Sequence, residues 1–474
     1  MAVVIAAPAS GSGKTLLSLV LLAWARSRGH DIQPFKVGPD YLDPQLLSAT
    51  AGRSCRNLDL NLCGEAWVQR AFHGYARGAD LALVEGVMGL FDGIGCGQEG
   101  STAAVAHQLH LPVVLVLDAG GQAASLAAVV KGFRDHDPGL RIAGVVLNRV
   151  STERHRELLH NVLDSIDMPL LGCLPRHEAL DLPSRHLGLA PAHELQQQAR
   201  RQQLWAEIAE QHLELEQWRD LLAAPTSGDD PLATLVPPSG PKLPVAVAAD
   251  EAFHFRYPET EELLLHLGMP VLPWSPLADE PLPAEARGVI IPGGFPEQHS
   301  AQLSGCRRSL EALTAWAGHR PIYAECGGML MLGQSLTDLD GRQHTMAGLL
   351  PFQARRGQLQ VGYRQLTPQQ DGLLVRRGET LRGHEFHRWS LQYDRKPGAP
   401  SVLWEIEGWR RAREPEGWSA RTIHASWVHL HWASSSTICS RWRAALAAAP
   451  KRMTDASSPA RNPGGSRRSS NAGA

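Results

Sequence analysis

The chain has 474 residues, with 46 Lys plus Arg against 48 Asp plus Glu and 43% apolar residues. A net charge of −2 leaves no global basic field for nucleic acid or an anionic membrane, and the near-average composition excludes wholesale disorder. No stretch reaches the roughly 18 uninterrupted apolar residues of a membrane span. Seven scattered cysteines without a CxxC pair read as reduced thiols, hence a cytoplasmic location. The length suits two or three domains.

In chain order, apolar runs and helical stretches alternate through the first half. Val3–Ala7, Ile32–Lys36, Leu81–Glu85, Val113–Asp118 and Ile142–Asn148 are short runs rich in Val, Leu and Ile, without strict alternation. Strands buried on both faces of a parallel sheet read this way. Thr15–Arg28 and Ala66–Tyr75 read as helices between them. The pattern predicts βαβ units and a doubly wound α/β domain. Ala2–Ala7 runs straight into a Gly-rich loop, which is not the form of a secretory signal. Pro191–Leu222 looks helical, and the Pro-, Gly-, Ser- and Asp-rich stretch 223–243 suits an exposed linker.

A second α/β pattern follows. Val245–Ala249, Val271–Trp274, Gly288–Ile291 and Pro321–Ala324 are predicted strands, with helices at Glu259–Leu267 and Arg307–Trp316. From Gly341 the segments are shorter and Gly-punctuated, suggesting an antiparallel or mixed extension. The end of the chain, Lys451–Ala474, carries five Lys or Arg against one Asp and reads as a disordered, solvated tail. The predicted units are 1–222, a linker 223–243, 244–446 and a tail 447–474. No internal repeat is visible.

Ser10-Gly11-Ser12-Gly13-Lys14-Thr15 follows a strand and opens a helix. Backbone N–H groups and the helix N-terminus then face an anion, and glycines let the backbone approach it. Lys14 would reach the β- and γ-phosphates, and the Thr15 hydroxyl would hold Mg²⁺. The full motif wants Gly six residues before the Lys, and Pro8 stands there, so this is a deviant phosphate loop. Phosphoryl transfer also needs acidic metal ligands. Asp40 and Asp43 lie in a Pro-bounded loop after the second strand; Glu85 and Asp92 lie in and after the end of the third. Both places are strand C-termini, where sites of open parallel sheets form. A turn-forming role would account for Asp43 or Asp92 singly. It accounts poorly for Glu85 at the end of an apolar strand, where an unpaired charge is expensive.

In the second half an apolar strand ends at Glu325-Cys326-Gly327-Gly328 and an apolar helix follows. This is the pattern of a nucleophile elbow, with a helix N-terminus to favour the thiolate. Gly293 and Gly294 follow the preceding strand, and their N–H groups could form an oxyanion hole. His429 and His431 lie about one hundred residues downstream and would share one strand face, so either could be the base for Cys326. Gly383-His384-Glu385-Phe386-His387 is a further polar cluster; no Cys/His spacing has zinc-finger form.

Taken together, the phosphate loop, Gln33–Pro44 and Val84–Gly93 resemble the cobyrinate a,c-diamide synthases. Pro292–Glu297, Ala324–Gly328, Gly383–His387 and Val428–His431 look like the glutaminase domain of the same enzymes. The resemblance runs from about Val3 to Trp432. It implies a dethiobiotin-synthetase-like ATPase domain followed by a class I glutamine amidotransferase-like domain. It also implies the reaction. ATP phosphorylates the c and then the a carboxylate of cobyrinate, and ammonia from L-glutamine displaces phosphate, in cobalamin biosynthesis. Hydrogenobyrinate and nickel-sirohydrochlorin are alternative substrates. A non-catalytic partitioning-type ATPase is the other class, disfavoured by the missing early Lys in the loop and by the presence of Cys326.

Carried over by position, Gly11, Gly13, Lys14 and Thr15 would bind ATP. Thr15, Asp43 and Glu85 would hold Mg²⁺. Asp40, Tyr41, Leu42 and Asp92 would lie on the substrate side. Asn148 resembles an adenine-recognising Asn and could equally be a strand cap. Cys326 would be the nucleophile and His429 its base, with His431 the fallback. Many related glutaminases place a Glu two residues after that His. Here His431 occupies that position, so a Cys–His dyad is expected. A homodimer is one option for the assembly.

Overall fold

A computed structural model describes residues 2–177, 180, 184–185, 188–189, 198–393 and 400–450. The first half is built on one sheet of seven strands: β1 (Val3–Ala6), β2 (Ile32–Val37), β3 (Arg56–Leu58), β4 (Leu81–Glu85), β5 (Val113–Asp118), β6 (Ile142–Val150) and β7 (Leu170–Pro175). Their order is β3-β2-β4-β1-β5-β6-β7 and every pairing is parallel. Strands β1, β2 and β4 are buried at every residue, which explains their unbroken apolar runs. Helix α1 (Lys14–Ser27) is buried from Leu16 to Ala25. It lies between the sheet and the helix Gln198–His212, so it has almost no polar face. Parallel connection brings the loops after β1, β2 and β4 to one edge of the sheet.

Two elements differ from expectation there. Asp40–Pro44 reads as a loop, yet α2 (Leu42–Ala51) begins inside it, because the first helical turn tolerates Pro44. Strands β3 and β7 escape the apolar-run criterion, since β3 is three residues long and contains Arg56 and Asn57. Residues 198–212 and 215–221 are helical as predicted; residues 191–197 of that stretch lie outside the described residues. A two-residue ladder, β8 (Ser184–Arg185) with β9 (Gly188–Leu189), stands apart from the sheet. Segment 223–243 is laid against the first half: Ala224 N–H donates to Asp80 O at 3.1 Å, and Leu232 and Leu243 are buried.

The second half has β10 (Val245–Ala248), β11 (Val271–Trp274), β12 (Gly288–Ile291) and β13 (Ile322–Glu325) in a parallel core, joined by the late strand β20 in the order β11-β10-β12-β13-β20. The expected extension comprises β14 (Ser335–Thr337), β15 (Gln343–Thr345), β16 (Gln353–Pro368), β17 (Leu381–Gln392), β18 (Ser401–Gly408) and β19 (Arg411–Ala420). Its pairings are antiparallel, apart from β14 with β16. After β20 (Ile423–Ser426) comes β21 (Val428–His429), which pairs with β17 rather than continuing the core. A final helix, Ser436–Ala448, runs two residues past the expected domain end at 446; residues 451–474 of the expected tail lie outside the described residues.

The halves meet along a polar and aromatic seam. Arg56 on β3 donates to Glu262 at 2.5 Å, stands 3.9 Å from buried Glu259 and stacks 3.9 Å over the Tyr75 ring. Tyr75 Oη donates to Glu262 at 2.8 Å, and Tyr363 Oη to Asp59 at 2.9 Å. Tyr41 and Leu42 of the first half pack with Phe255, Tyr257 and Phe295 of the second.

Removing one partner of a buried ion pair leaves the other uncompensated. Arg56→Met therefore destabilises the protein by about 2 kcal/mol at pH 8, below the full penalty because Glu259 can take a proton. Burial holds the Glu259 carboxyl up at about 7, even against Arg56. A group raised in the folded state loses its stabilising proton as pH climbs through that value, so the defect shrinks toward pH 6. Urea unfolding at both pH values checks this.

Candidate active site

The phosphate loop turns between β1 and α1, with Gly11 at φ 81° and Gly13 at φ 115°. Gly13 has a second constraint, since a Cβ there would meet Asn148 Nδ2 at 2.4 Å. Asn148 sits near the end of β6, donates to Ser12 O at 3.0 Å, and accepts from the Arg149 N–H. Both ends of its amide are thus engaged, one of them in holding the phosphate loop. The helix start at Gly13 has no side-chain cap, so its first N–H groups remain available to an anion.

Lys14 reaches across to the β4 loop, donating to Met88 O at 2.5 Å and to Ala9 O at 3.3 Å. Burial, aided by nearby Lys36, pulls its ammonium down to about 8. Asp92 shapes the same loop by accepting from Gly89 N–H at 2.8 Å. Thr15 Oγ1 donates to Glu85 Oε1 at 2.8 Å.

Lys36, which sequence reasoning gave no role, is the centre of this site. Its ammonium is 2.7 Å from Glu85 Oε1, 2.6 Å from Asp43 Oδ2 and 3.9 Å from Asp40 Oδ2. Burial opposes the charge, but Asp43, Glu85 and Asp40 together hold Lys36 well above its ordinary value. In return Lys36 outweighs burial at Asp43 and holds that carboxyl low, while burial dominates at Glu85 and raises it. Asp40 is pushed up to about 7 by desolvation and by Asp43. Its Oδ1 accepts from Leu42 N–H at 2.9 Å, fixing the start of α2.

The second site forms where β13 ends. Cys326 takes φ 49° and ψ −116°, a strained conformation for a non-glycine residue and the mark of a nucleophile elbow. The helix after it is a single turn, Gly327–Leu330, so the expected helix contribution to the thiolate is small. The charged partner is His429, fully buried on β21. Burial would lower its imidazole, but the Cys326 sulfur and then Glu325 outweigh it and hold His429 up at about 10. His429 Nδ1 faces Glu325 Oε1 at 3.3 Å. Glu325 Oε2 accepts from Tyr323 Oη at 2.7 Å, which fixes the carboxylate.

A Cβ on Gly293 would meet His429 Cε1 at 2.5 Å and Cys326 Cβ at 3.4 Å, so only glycine fits beside the pair. Gly294 lines a cavity of about 20 Å³ with Cys326, Glu297, Phe295, His387 and Arg388. His431 points elsewhere: its ring lies 4.5 Å from Tyr257 and 6.3 Å from Trp67, and neither nitrogen has a hydrogen bond. Desolvation holds it down at about 4.

Residues 3–189 match the family described as the CobQ/CobB/MinD/ParA nucleotide binding domain, and residues 244–437 match the CobB/CobQ-like glutamine amidotransferase domain. A cobyrinate a,c-diamide synthase of Gloeobacter violaceus is 43% identical over 93% of this chain and 96% of its own. That of Synechocystis sp. is 40% identical over 96% and 95%. A hydrogenobyrinate a,c-diamide synthase of Streptomyces coelicolor is 40% identical over 93% and 96%. The chain belongs to the a,c-diamide synthase family.

For a member of this family, the residues gather into two centres. Lys14, Thr15, Asp40, Asp43 and Glu85 come together around Lys36. Cys326, His429, Gly293 and Gly294 come together at the end of β13. Tyr41 and Leu42, expected on the substrate side, are buried in the seam, with Tyr41 against His429. They pack there because α2 begins at Leu42 and turns both side chains toward Phe255 and Tyr257. Sequence reasoning missed Lys36 and Glu325. The signal was present for both, because each is a charge within or at the end of an apolar strand, the argument that singled out Glu85.

Three outcomes test the assignments. Gly13→Ala weakens nucleotide binding at least about tenfold, because strain and the Asn148 clash distort the loop; calorimetry reads it. Glu325→Gln lowers glutaminase kcat by about a hundredfold, through loss of the group that orients His429. His431→Gln is expected to leave that rate within about threefold, since its ring packs against Tyr257 and Trp67 and neither nitrogen makes a hydrogen bond.

Proposed function

We propose that the protein converts the a- and c-carboxylates of cobyrinate to amides, using ATP and ammonia taken from glutamine. A near-full-length likeness to cobyrinate a,c-diamide synthases carries the substrate class. The two centres supply the reaction type. Hydrogenobyrinate is the second reading, supported by the Streptomyces relative.

Cys326 attacks the side-chain carbonyl of glutamine, forming a thioester as the C–N bond breaks. His429, held protonated beside the sulfur, passes its proton to the departing ammonia. Glu325 holds the imidazole through Nδ1. The backbone N–H groups of Gly293 and Gly294 stand beside the developing oxyanion. Water then cleaves the thioester and releases glutamate.

At the other centre a ring carboxylate attacks the γ-phosphorus of ATP. A carboxylate is a poor electrophile, and the acyl phosphate it becomes carries a good leaving group. Ammonia attacks that carbonyl and phosphate departs. Lys14 bears on the transferring phosphoryl group, and the loop N–H groups cradle its neighbours. Buried Glu85 Oε2 makes no hydrogen bond, and with Thr15 Oγ1 and Asp43 it forms a hard-oxygen set suited to Mg²⁺. Bound there, Mg²⁺ would neutralise phosphate charge. All seven cysteines are unpaired, which supports a reducing, cytoplasmic setting.

A mass assay with cobyrinate, MgATP and glutamine tests the reading. The product loses about one mass unit per carboxylate converted to amide, and the diamide is expected. Cys326→Ala makes diamide from ammonium chloride and none from glutamine. ATP hydrolysis without amide from either cobyrinate or hydrogenobyrinate would sink the corrin assignment.

A further inference from the structure

Glu385, in the polar cluster of residues 383–387, belongs to neither centre. It is fully buried on β17 and accepts from Arg364 at 2.7 Å and Arg411 at 2.6 Å, with His387 Nε2 at 2.8 Å. Arg411 also donates to Gln360 at 2.9 Å. These bonds anchor the start of β19. Gly408 pairs with Arg411, so Trp409 and Arg410 form a two-residue turn at the tip of the β18–β19 hairpin.

The tip is built against local preference. Such a turn favours Asn or Gly, yet Arg410 takes φ 54°. Trp409 is 54% exposed. The Arg410 guanidinium lies 4.7 Å over the Trp409 ring and makes no salt bridge among the described residues. Val361, 52% exposed, shares a face of β16 with Tyr363, and a Cβ on Gly408 would meet Tyr363 O at 2.8 Å. Exposed apolar side chains therefore gather around Tyr363.

This patch adjoins the synthetase half. A Cβ on Gly95 would meet Trp409 Nε1 at 2.5 Å, and one on Gly100 would meet the Tyr363 ring at 3.6 Å. Both glycines lie in the loop after β4. Lys14 grips the other end of that loop through Met88 O at 2.5 Å, and the Met88 side chain is exposed. Arg382, half exposed, stands 3.8 Å from Glu99 of the same loop. One loop thus runs from the phosphate site to the hairpin tip of the other half.

We propose that the Trp409–Arg410 tip is a binding subsite for the macrocycle of the synthetase substrate. The indole packs on the macrocycle face, and Arg410 pairs with a carboxylate on its rim, while the carboxylate to be activated lies at Lys14. The inference rests on the corrin reading given under the proposed function. Chemistry selects this occupant. A broad ring with apolar faces and an acidic rim calls for an aromatic surface beside a cation, and Arg410 is a cation without a protein carboxylate. A recognition element must also be held still, which the buried Glu385 does through Arg411. The glutaminase half then contributes directly to recognition of the substrate that the synthetase half activates.

Equilibrium dialysis of the full chain against cobyrinate and hydrogenobyrinate, read by their visible absorbance, tests this. Trp409→Ala weakens macrocycle binding about tenfold, and Trp409→Phe about threefold or less. Arg410→Gln weakens it about fivefold at low salt, and its difference from wild type shrinks as salt is raised. Calorimetry with a non-hydrolysable ATP analogue confirms that each variant is folded. Wild-type macrocycle affinity in Trp409→Ala or in Arg410→Gln overturns the proposal and leaves the corrin reading standing. A wild-type chain that binds neither macrocycle overturns both. Loss of self-association in Trp409→Ala with macrocycle binding intact, seen by sedimentation, assigns the tip to a second copy and also overturns the proposal.

Discussion

A buried ammonium organises the synthetase half. Lys36 is buried near the C-terminal end of β2 in an apolar sheet, where a lone charge is prohibitively costly, so three carboxylates must come to it. Those carboxylates sit on the loop after β2, the first turn of α2 and the end of β4. One cation therefore pins three elements at the sheet edge where the phosphate loop also ends. The same arrangement leaves Glu85 with a free oxygen and Asp43 ionised, the condition in which a hard cation or a phosphate-bound metal is received. Structure and chemistry share one electrostatic requirement here.

The glutaminase half meets its requirement through strain and packing. Cys326 is held at positive φ because β13 must end abruptly for the sulfur to stand clear of the sheet. Departure of β21 from the parallel core does the complementary work. By pairing with β17 it swings His429 over the end of β13, and the register places Glu325 opposite Ser426, three residues before His429 in the chain. The acid partner of the imidazole thus comes from the residue preceding the nucleophile rather than from a position after the histidine. His431, two residues on, occupies a different environment, in contact with Tyr257 and Trp67. Along a strand the two histidines share a face, yet the pairing with β17 ends at His429, and His431, still extended, leads into the tight turn Trp432–Ser434.

Much of this was legible in the amino-acid sequence, and the exceptions have a common cause. Strands such as Leu81–Glu85 and Val113–Asp118 matched to the residue because burial on both faces leaves an unmistakable apolar signature. The phosphate loop and the Cys326 elbow were legible because a turn of fixed shape demands glycines at fixed offsets. What escaped were pairings set by tertiary contact. Glu325 and His429 are more than a hundred positions apart in sequence, and their relation depends on β21 leaving the core. Tyr41 was placed on the substrate side by its position in the family resemblance alone. Nothing local reveals that its ring crosses the seam, since the cluster it joins is contributed mainly by Phe255, Tyr257 and Phe295, over two hundred residues away.

That crossing bears on why the two activities share one chain. Ammonia in water at neutral pH is mostly ammonium, which has no lone pair for attack on an acyl phosphate. Hydrolysing glutamine next to the acceptor is useful only if the released base stays dry and arrives while the acceptor is activated. Part of the seam is apolar, with buried aromatic rings and a His431 that burial holds neutral. The second condition is served by placing both centres on one chain, on either side of the seam. Tyr41 adjoins Asp40 along the chain and packs its ring 5.0 Å from that of His429, so the two centres approach each other across one layer of aromatic side chains.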